Sequence, residues 1–465
     1  MAAARSESEV DSAIAAVLAD LDGIPSLKPE QIEALKAFVG GKDVLAFLPD
    51  GFGKDLVYQI APKVFEKLGR VNPIVIVVTP HVALIKEFQN TEHLQPVDLM
   101  EYQIRQATKI VKAAQLGETD AEGIANGGFP LVFGGPERWV LEDEWRDMLS
   151  STVYRENLAG VVVDDVHLAY KWGHQSKYQS ELKEAFYGLR DLRSLVKEGT
   201  PIMALTASAD LQSLQRVRSI LDLEEAHVVR ASPNRLNVRL GLVRFPKDKT
   251  VALDWIVDEV CDKGLDMECV IIYCRHLNAV GKVFTHLKYK LGDDAWVGEK
   301  TSHNMLIGIY HSATLDKYKD RVRKSLVGEG SCRVVVASTA LGTIKGVDFK
   351  NVGKVVMYGP PEDMENILLM ISRAGCDGKE AHAVLYYKNE QLGKVDKAVK
   401  KFVEGSSGEP CIRKRLFGHF EDSPVSVQPG HKCCTNCSGD VCYESFDYFD
   451  GGLSSSESDS DDMFY

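Results

Sequence analysis

The sequence predicts an α/β chain with two sets of parallel strands in tandem. Short, nearly continuous apolar runs at 44–48, 74–79, 160–164 and 201–205 are separated by tens of residues with helical patterning, as at 86–94 and 181–196. Strands apolar on both faces and joined through helices are the mark of buried parallel sheets. The pattern then restarts with runs at 269–274, 333–337, 355–358 and 382–387. Length agrees, since 465 residues are too many for a single core.

Composition narrows the class. Apolar residues at 45% and charged residues at 26% are globular values, which excludes collagen, coiled coil and wholesale disorder. The apolar run at 74–78 is far below membrane-span length, and residues 1–10 lack an apolar signal core. A nuclear or cytoplasmic protein is expected, neither secreted nor membrane-bound. The net charge of −12 is uneven: residues 440–465 hold eight acids and no Lys or Arg, and residues 1–25 hold five acids and one Arg. The body between is near neutral. That excludes a simple basic nucleic-acid binder but leaves room for a local basic groove.

In chain order, 1–25 reads as an acidic helical segment. The first strand, ending at Leu48, runs into Pro49-Asp50-Gly51-Phe52-Gly53-Lys54-Asp55 and then a helix start. Glycines let backbone N–H groups approach a phosphate, the helix amino terminus favours the anion, and Lys54 supplies a point charge. A Gly-x-Gly-Lys loop alone is equally consistent with a tight turn, and the full nucleotide pattern wants Ser or Thr where Asp55 stands. The strand at 160–164 ends in Asp164-Asp165-Val166-His167. A carboxylate at the carboxyl end of a buried strand is where an α/β fold holds a metal–nucleotide complex, whereas the bland alternative is an acidic surface loop. Residues 231–246, with Pro233, Asn234 and Arg235, read as a linker. From Cys411 the chain is Cys-rich and basic, and 451–465 reads as a disordered Ser/Asp tail.

None of the ten cysteines precedes Cys261, and five lie from Cys411 onward. Thiols that stay reduced make such a late cluster a metal candidate. A Cys-x-x-Cys pair, Cys434 and Cys437, with two soft ligands upstream suits a tetrahedral Zn²⁺ site. Cys442 reads as a bystander, and Cys261, Cys269, Cys274 and Cys332 as ordinary apolar packing.

These stretches together, from about Gly23 to Cys437, resemble the superfamily 2 DNA helicases of the RecQ family. Gly23 to Gln31 resembles the adenine-reading motif 0, with Lys28 and Gln31 in the nucleotide site. Thr79-Pro80-His81 through Lys86 resembles motif Ia, and Gly135-Pro136-Glu137-Arg138 the element that touches the nucleic-acid backbone. Asp164 to His167 resembles the Asp-Glu-Ala-His box, Trp172-Gly173-His174 the aromatic-rich loop, and Leu205 to Ala209 motif III. In the second half, Ile271 to Cys274 resembles motif IV and Tyr310 to Ala313 the Tyr-His-Ala-Gly stretch. Val336 to Gly342 with Gly346-Val347-Asp348 resembles motif V, and Ser372 to Gly378 motif VI.

The resemblance implies two tandem RecA-like domains, parallel sheets flanked by helices, with a small C-terminal zinc-binding subdomain. It divides the chain into 26–230, 235–395 and 396–440, with the tail at 441–465. It further implies an ATP-dependent 3′–5′ DNA helicase or translocase with ATP–Mg²⁺ between the domains and single-stranded or 3′-tailed DNA across them. The catalytic residues would be Lys54, Asp164, Asp165, His167 and Arg373. Lys28, Gln31, Gly51, Gly53, Lys54, Asp55, Gly346, Asp348 and Arg373 would bind the nucleotide. Lys86, Arg138 and Trp172 would hold DNA. The zinc ligands would be Cys411, His431, Cys434 and Cys437. Cys433 is the alternative to His431, because adjacent Cys433 and Cys434 do not easily ligate one ion together. Only 28 residues follow Cys437, so unwinding is expected to rest on the core alone, and the acidic tail is the candidate region for protein partners.

The sequence departs from the family where the chemistry lies. Asp55 replaces the Mg²⁺-binding hydroxyl, Asp50 a Thr, Asp165 the Glu that orients the attacking water, and Cys376 the second Arg of motif VI. Leu369 replaces that motif's leading Gln, and Ile24 an adenine-stacking aromatic. Gly342 and Gly346 are two residues further apart than motif V usually has them, and Ser176 and Lys177 stand where Phe and Arg are usual. An arginine finger contributes about 10³- to 10⁵-fold in rate. A second reading therefore stands beside the motor, a catalytically impaired module that binds ATP and DNA.

Overall fold

The computed structural model describes residues 6–20, 26–49, 51–79, 108–110, 118–166, 185, 188–207, 211–248, 251–342, 344, 349–405 and 408–438. The chain divides into two compact units, Met1–Pro233 and Asn234–Tyr465. Among the described residues, no helix is long and apolar enough to cross a membrane.

The first unit opens with α1 (Glu7–Ala19), which starts on a capping box between Ser6 and Glu9. Val10, Ala13, Ile14 and Val17, spaced at helical period, bury one face of α1 in the same core as α2 (Pro29–Val39) and α3 (Lys54–Lys67). Seven strands follow in the chain: β1 (Val44–Phe47), β2 (Ile74–Val78), β3 (Thr108–Ile110), β4 (Leu131–Gly134), β5 (Leu158–Val163), β6 (Ile202–Thr206) and β7 (His227–Arg230). They form one parallel sheet in the order β3-β4-β2-β5-β6-β1-β7. β1, β2, β4, β5 and β6 are buried along their whole length, as continuous apolar runs require of strands covered on both faces. Along β1, Val44 and Ala46 enter one core while Leu45 and Phe47 enter the other.

Gly160 in β5 lies so close to the fully buried Phe38 ring that an added Cβ would overlap it. Gly160→Ala is therefore expected to destabilise the first unit by about 1–3 kcal/mol, the usual cost of overpacking. The urea midpoint of the intact chain would read this, and an unchanged midpoint would show that Phe38 can yield.

The second unit carries six parallel strands: β8 (Val238–Arg244), β9 (Cys269–Cys274), β10 (Ile307–Tyr310), β11 (Val334–Ala337), β12 (Val352–Tyr358) and β13 (Ala381–Tyr387). Their order is β10-β11-β9-β12-β13-β8. Helices Asp254–Lys263 and Leu277–Leu291 bury apolar faces in the core on one side. Helices Asp316–Leu326 and Met364–Ile371, together with the Cys-rich segment, fill the core on the other.

One expectation changes here. The span 231–246 is not a bare linker, because 238–244 is β8, paired along its whole length with β13. Val238 and Leu240 are buried, and Arg239 between them makes this strand look like a connection. In the Cys-rich segment, the helix Ile412–Phe417 and Cys411, Cys433 and Cys434 share a core with the second sheet. Cys434 also makes a parallel bridge with Leu240. Within 181–196, the described residues 185 and 188–195 are helical, with a 3-10 stretch at Leu189–Asp191 and an α-helical one at Leu192–Leu195.

Candidate functional site

The phosphate loop follows directly from β1. Gly51 and Gly53 have φ of 76° and 82°, a region that glycine enters without penalty. Gly53 is the N-cap of α3, so Lys54 stands in the first helical turn, where unpaired N–H groups and the helix dipole favour an anion. Gln31 braces this loop from α2. Its Nε2 donates to the carbonyls of Phe52 (3.0 Å) and Gly53 (2.8 Å), and its Oε1 accepts from the Lys28 N–H at 2.8 Å. A Cβ on Gly53 would come within 2.8 Å of that Nε2. The Lys28 ammonium lies 4.0 Å from the centre of the Phe52 ring. Motif 0 and the loop are thus one hydrogen-bonded piece.

The two acids meet the lysine. The Asp164 N–H donates to Val78 O and the Val166 N–H to Leu205 O, which pins the turn after β5 between β2 and β6. Lys54 Nζ donates to Asp164 Oδ1 at 2.7 Å and also to Asp165 Oδ1. All three residues are buried, Asp164 completely. A lysine that deep is tolerated because two carboxylates repay its lost hydration. Asp165 has φ of 50°, and its N–H donates to Asp164 Oδ1 at 2.9 Å. Asp tolerates this left-handed backbone better than longer side chains do. Asp55 sits in the same first turn of α3, where a carboxylate is stabilised by the dipole and an oxygen ligand is available to Mg²⁺. The glycines, the buried lysine and the strand-end carboxylates fit a Mg²⁺–nucleotide.

In the second unit, Arg373 is buried, its Nε donates to Gly342 O at 3.1 Å and its Nη2 donates to the same oxygen. Its guanidinium lies 5.0 Å from the centre of the Phe349 ring. Motifs V and VI are thereby tied together. Cys376 is half-buried, and its Sγ donates to Ser372 O at 3.2 Å. Beside it lies a residue the sequence reading passed over: Arg235, whose Nη1 is 2.7 Å from Ser372 O and 3.5 Å from Cys376 Sγ. No spacing or motif marks Arg235, which looks like a linker residue until the fold brings it to motif VI.

Arg138, expected at DNA, is on the short helix Pro136–Leu141 and is ion-paired with Glu142 one turn on. Burial pushes the carboxyl of neighbouring Glu137 above its usual range. Arg138 must exchange Glu142 for a phosphate if it is to hold DNA. His167, Lys86, Trp172, Gly346 and Asp348 lie outside the described residues.

Four cysteines converge elsewhere in the second unit. The sulfurs of Cys411, Cys433, Cys434 and Cys437 all lie within 4.8 Å of one another, and Cys411 Sγ to Cys433 Sγ is 3.7 Å. Sulfurs bound at about 2.3 Å in a tetrahedron stand about 3.8 Å apart, so the set fits one Zn²⁺. His431 is not among the four, and the sulfur that completes the set is that of Cys433. The two adjacent cysteines both join because Cys433 closes the short helix Gly430–Cys433 while Cys434 turns abruptly extended, at φ −163° and ψ 167°. Burial pushes the Cys434 thiol up, but hydrogen bonds from Cys437 and from the backbone of Ile412, Cys437 and Arg413 outweigh it and hold the thiol below its ordinary value. Such N–H···S bonds favour the thiolate a metal needs. Burial raises the Cys411 and Cys437 thiols.

Comparison with known proteins agrees with this geometry. Residues 28–217 match the DEAD/DEAH box helicase family model, and 252–378 match the helicase conserved C-terminal domain. The chain is 24% identical over 445 residues to the ATP-dependent DNA helicase RecQ of Pasteurella multocida, which covers 94% of this chain and 63% of that protein. It is 23% identical over 456 residues to the RecQ-like DNA helicase BLM of Xenopus laevis, covering 92% and 30%. It is 24% identical over 441 residues to the ATP-dependent helicase SGS1 of Saccharomyces cerevisiae, covering 89% and 27%. The chain spans less than two thirds of the length of each of these relatives. Among solved structures, the helicase MrfA bound to DNA superposes with a TM-score of 0.60 at 15% identity, covering 92% of this chain and 56% of that one. Mss116p bound to single-stranded RNA and AMP-PNP gives 0.57 at 15% identity, covering 89% and 80%.

Proposed function

We propose, from the premise that this chain belongs to the RecQ family of DEAD/DEAH box helicases, that it is an ATP-dependent DNA helicase or translocase moving 3′ to 5′ on single-stranded DNA. The observation that carries the reading is the Lys54 ammonium buried against Asp164 and Asp165, more than a hundred residues along the chain. Bound ATP–Mg²⁺ supplies the cleavable phosphoanhydride. Lys54 and the amides of the 51–54 loop hold its phosphates, Asp164 holds the metal, and Asp165 orients the attacking water. Lys28 and Gln31 serve the base, and Gly346, Asp348 and Arg373 belong to the second unit's share of the nucleotide. Lys86, Arg138 and Trp172 contact DNA, His167 stands with the catalytic residues, and protein partners engage the acidic tail. A nuclear location suits these roles.

A second reading, nucleotide and DNA binding without turnover, is favoured by one observation. Motif VI presents Cys376, and both nearby guanidinium groups, Arg373 and Arg235, donate to backbone carbonyls. ATP hydrolysis with and without single-stranded DNA, together with strand displacement on 3′- and 5′-tailed duplexes, separates the two. The motor reading expects DNA-stimulated hydrolysis and displacement only from the 3′ tail. Tight nucleotide binding with no hydrolysis would establish the second.

The Cys cluster is proposed to hold one structural Zn²⁺ through Cys411, Cys433, Cys434 and Cys437. Zinc content by atomic emission is expected to fall from about one equivalent to near zero in Cys433→Ser and to stay at about one in His431→Ala. The reverse pattern would return the second position to His431.

A further inference from the structure

We infer that Arg413 and Arg235 form a positioning relay that carries the order of the Cys cluster to the motif VI turn at 372–376. The segment that begins at Asn234 is held from two sides. On one side is Arg413, fully buried and two residues beyond Cys411. Its guanidinium donates to Asn234 Oδ1 (2.6 Å), to the carbonyls of Arg235 (3.0 Å) and Val238, and to Cys433 O (3.4 Å). One side chain thus joins a cluster ligand's backbone to the start of the second unit. Arg239 adds a parallel link, donating to His431 O at 2.7 Å and to Ser438 Oγ at 2.9 Å.

On the other side the same segment grips motif VI. Arg235 Nη1 donates to Ser372 O and Nη2 to Gly375 O, at 2.7 and 2.6 Å. Asn237 Nδ2 donates to Gly375 O (2.9 Å) and Lys379 O (2.7 Å). Gly375 has φ of 57°, and a Cβ there would lie 2.6 Å from Asn237 Nδ2. Carbonyls of this turn are therefore satisfied by side chains of 235 and 237. Arg373 sits inside the turn, and its hold on Gly342 O depends on how the turn is set. Charge-assisted bonds of this kind are the strong ones, and removing a buried donor leaves its acceptors unsatisfied. The path runs from Cys433 through Arg413 to 234–238, then through Arg235 and Asn237 to 372–379.

The test is amide hydrogen exchange by mass spectrometry on the full zinc-loaded chain, on chelator-treated chain, and on Arg235→Gln, Arg235→Lys and Arg413→Gln. Exchange at 372–378 is expected to quicken about tenfold or more in the chelated protein and in both Gln variants. Arg235→Lys, which keeps the charge but loses the fork, should be partly protected. Strand 269–274 and the loop 51–56 should stay as in wild type. If Arg413→Gln fails to fold, the half-buried Arg235 variants and chelation decide the matter. A protected 372–378 in Arg235→Gln, or chelation that speeds only 408–438, overturns the relay. The kinetic arm rests on the helicase reading: Arg235→Gln should lower kcat and leave the KM for ATP unchanged, whereas plain destabilisation would lower the active fraction without altering protection at 372–378 in the folded protein. Faster exchange without turnover in any form would keep the relay and reject the motor.

Discussion

Lys54→Ala is expected to lower DNA-stimulated ATP hydrolysis by at least about a hundredfold, the usual loss when one preorganised charge is removed from a transition-state site. The substitution acts twice. It deletes the cation that would neutralise charge on the transferred phosphoryl group. It also leaves Asp164 and Asp165 facing each other in a buried site without the ammonium that both now accept from. Two adjacent carboxylates without a cation repel, so nucleotide affinity should fall as well as turnover. Steady-state hydrolysis with saturating single-stranded DNA, beside fluorescent-nucleotide binding, reads both effects. Equal rates in wild type and variant would reject hydrolysis at this loop.

Cys376→Arg is expected to raise kcat by about tenfold to a thousandfold, a fraction of what an arginine finger supplies where it is native. The gain is partial for a structural reason. Cys376 Sγ already donates to Ser372 O and lies 3.5 Å from Arg235 Nη1, so a new guanidinium meets an existing one of like charge. Combining Cys376→Arg with Arg235→Gln would relieve that repulsion but loosen the turn. The single variant is therefore the cleaner measurement, taken at saturating ATP and DNA. An unchanged kcat would move the cause of any weak turnover to Asp55 or Asp165, where Asp55→Ser is the next substitution to assay.

Much of the site was legible because its parts are short-range patterns. The Gly-x-Gly-Lys loop follows an apolar strand, and Asp164-Asp165 ends another; strand ends and helix starts are local facts of sequence. Lys54, Asp164 and Asp165 meet as the motif order implies. Arg235 was not legible, because its partners Ser372, Gly375 and Cys376 are about 140 residues away and no periodicity links them. β8 was missed for a similar reason. Val238 and Leu240 alternate with Arg239 and Gly241, which looks like a polar connection until β13 supplies its ladder. At the Cys cluster, spacing alone left His431 and Cys433 as rivals, and a change of backbone conformation between two neighbouring residues favoured Cys433.

By itself the sequence determined the class of this protein: two α/β halves, a phosphate loop, a strand-end acid pair and a late cysteine set, all properties of residue type and near-neighbour spacing. Tertiary structure alone decided which groups share a hydrogen bond. It put Lys54 between two aspartates, Arg373 on Gly342, Cys433 rather than His431 in the thiol cluster, and Arg413 between that cluster and the 234–238 segment. The physical reason is range: periodicity is a property of a few consecutive residues, whereas a buried charge is satisfied by whatever acceptors folding brings within about 3 Å.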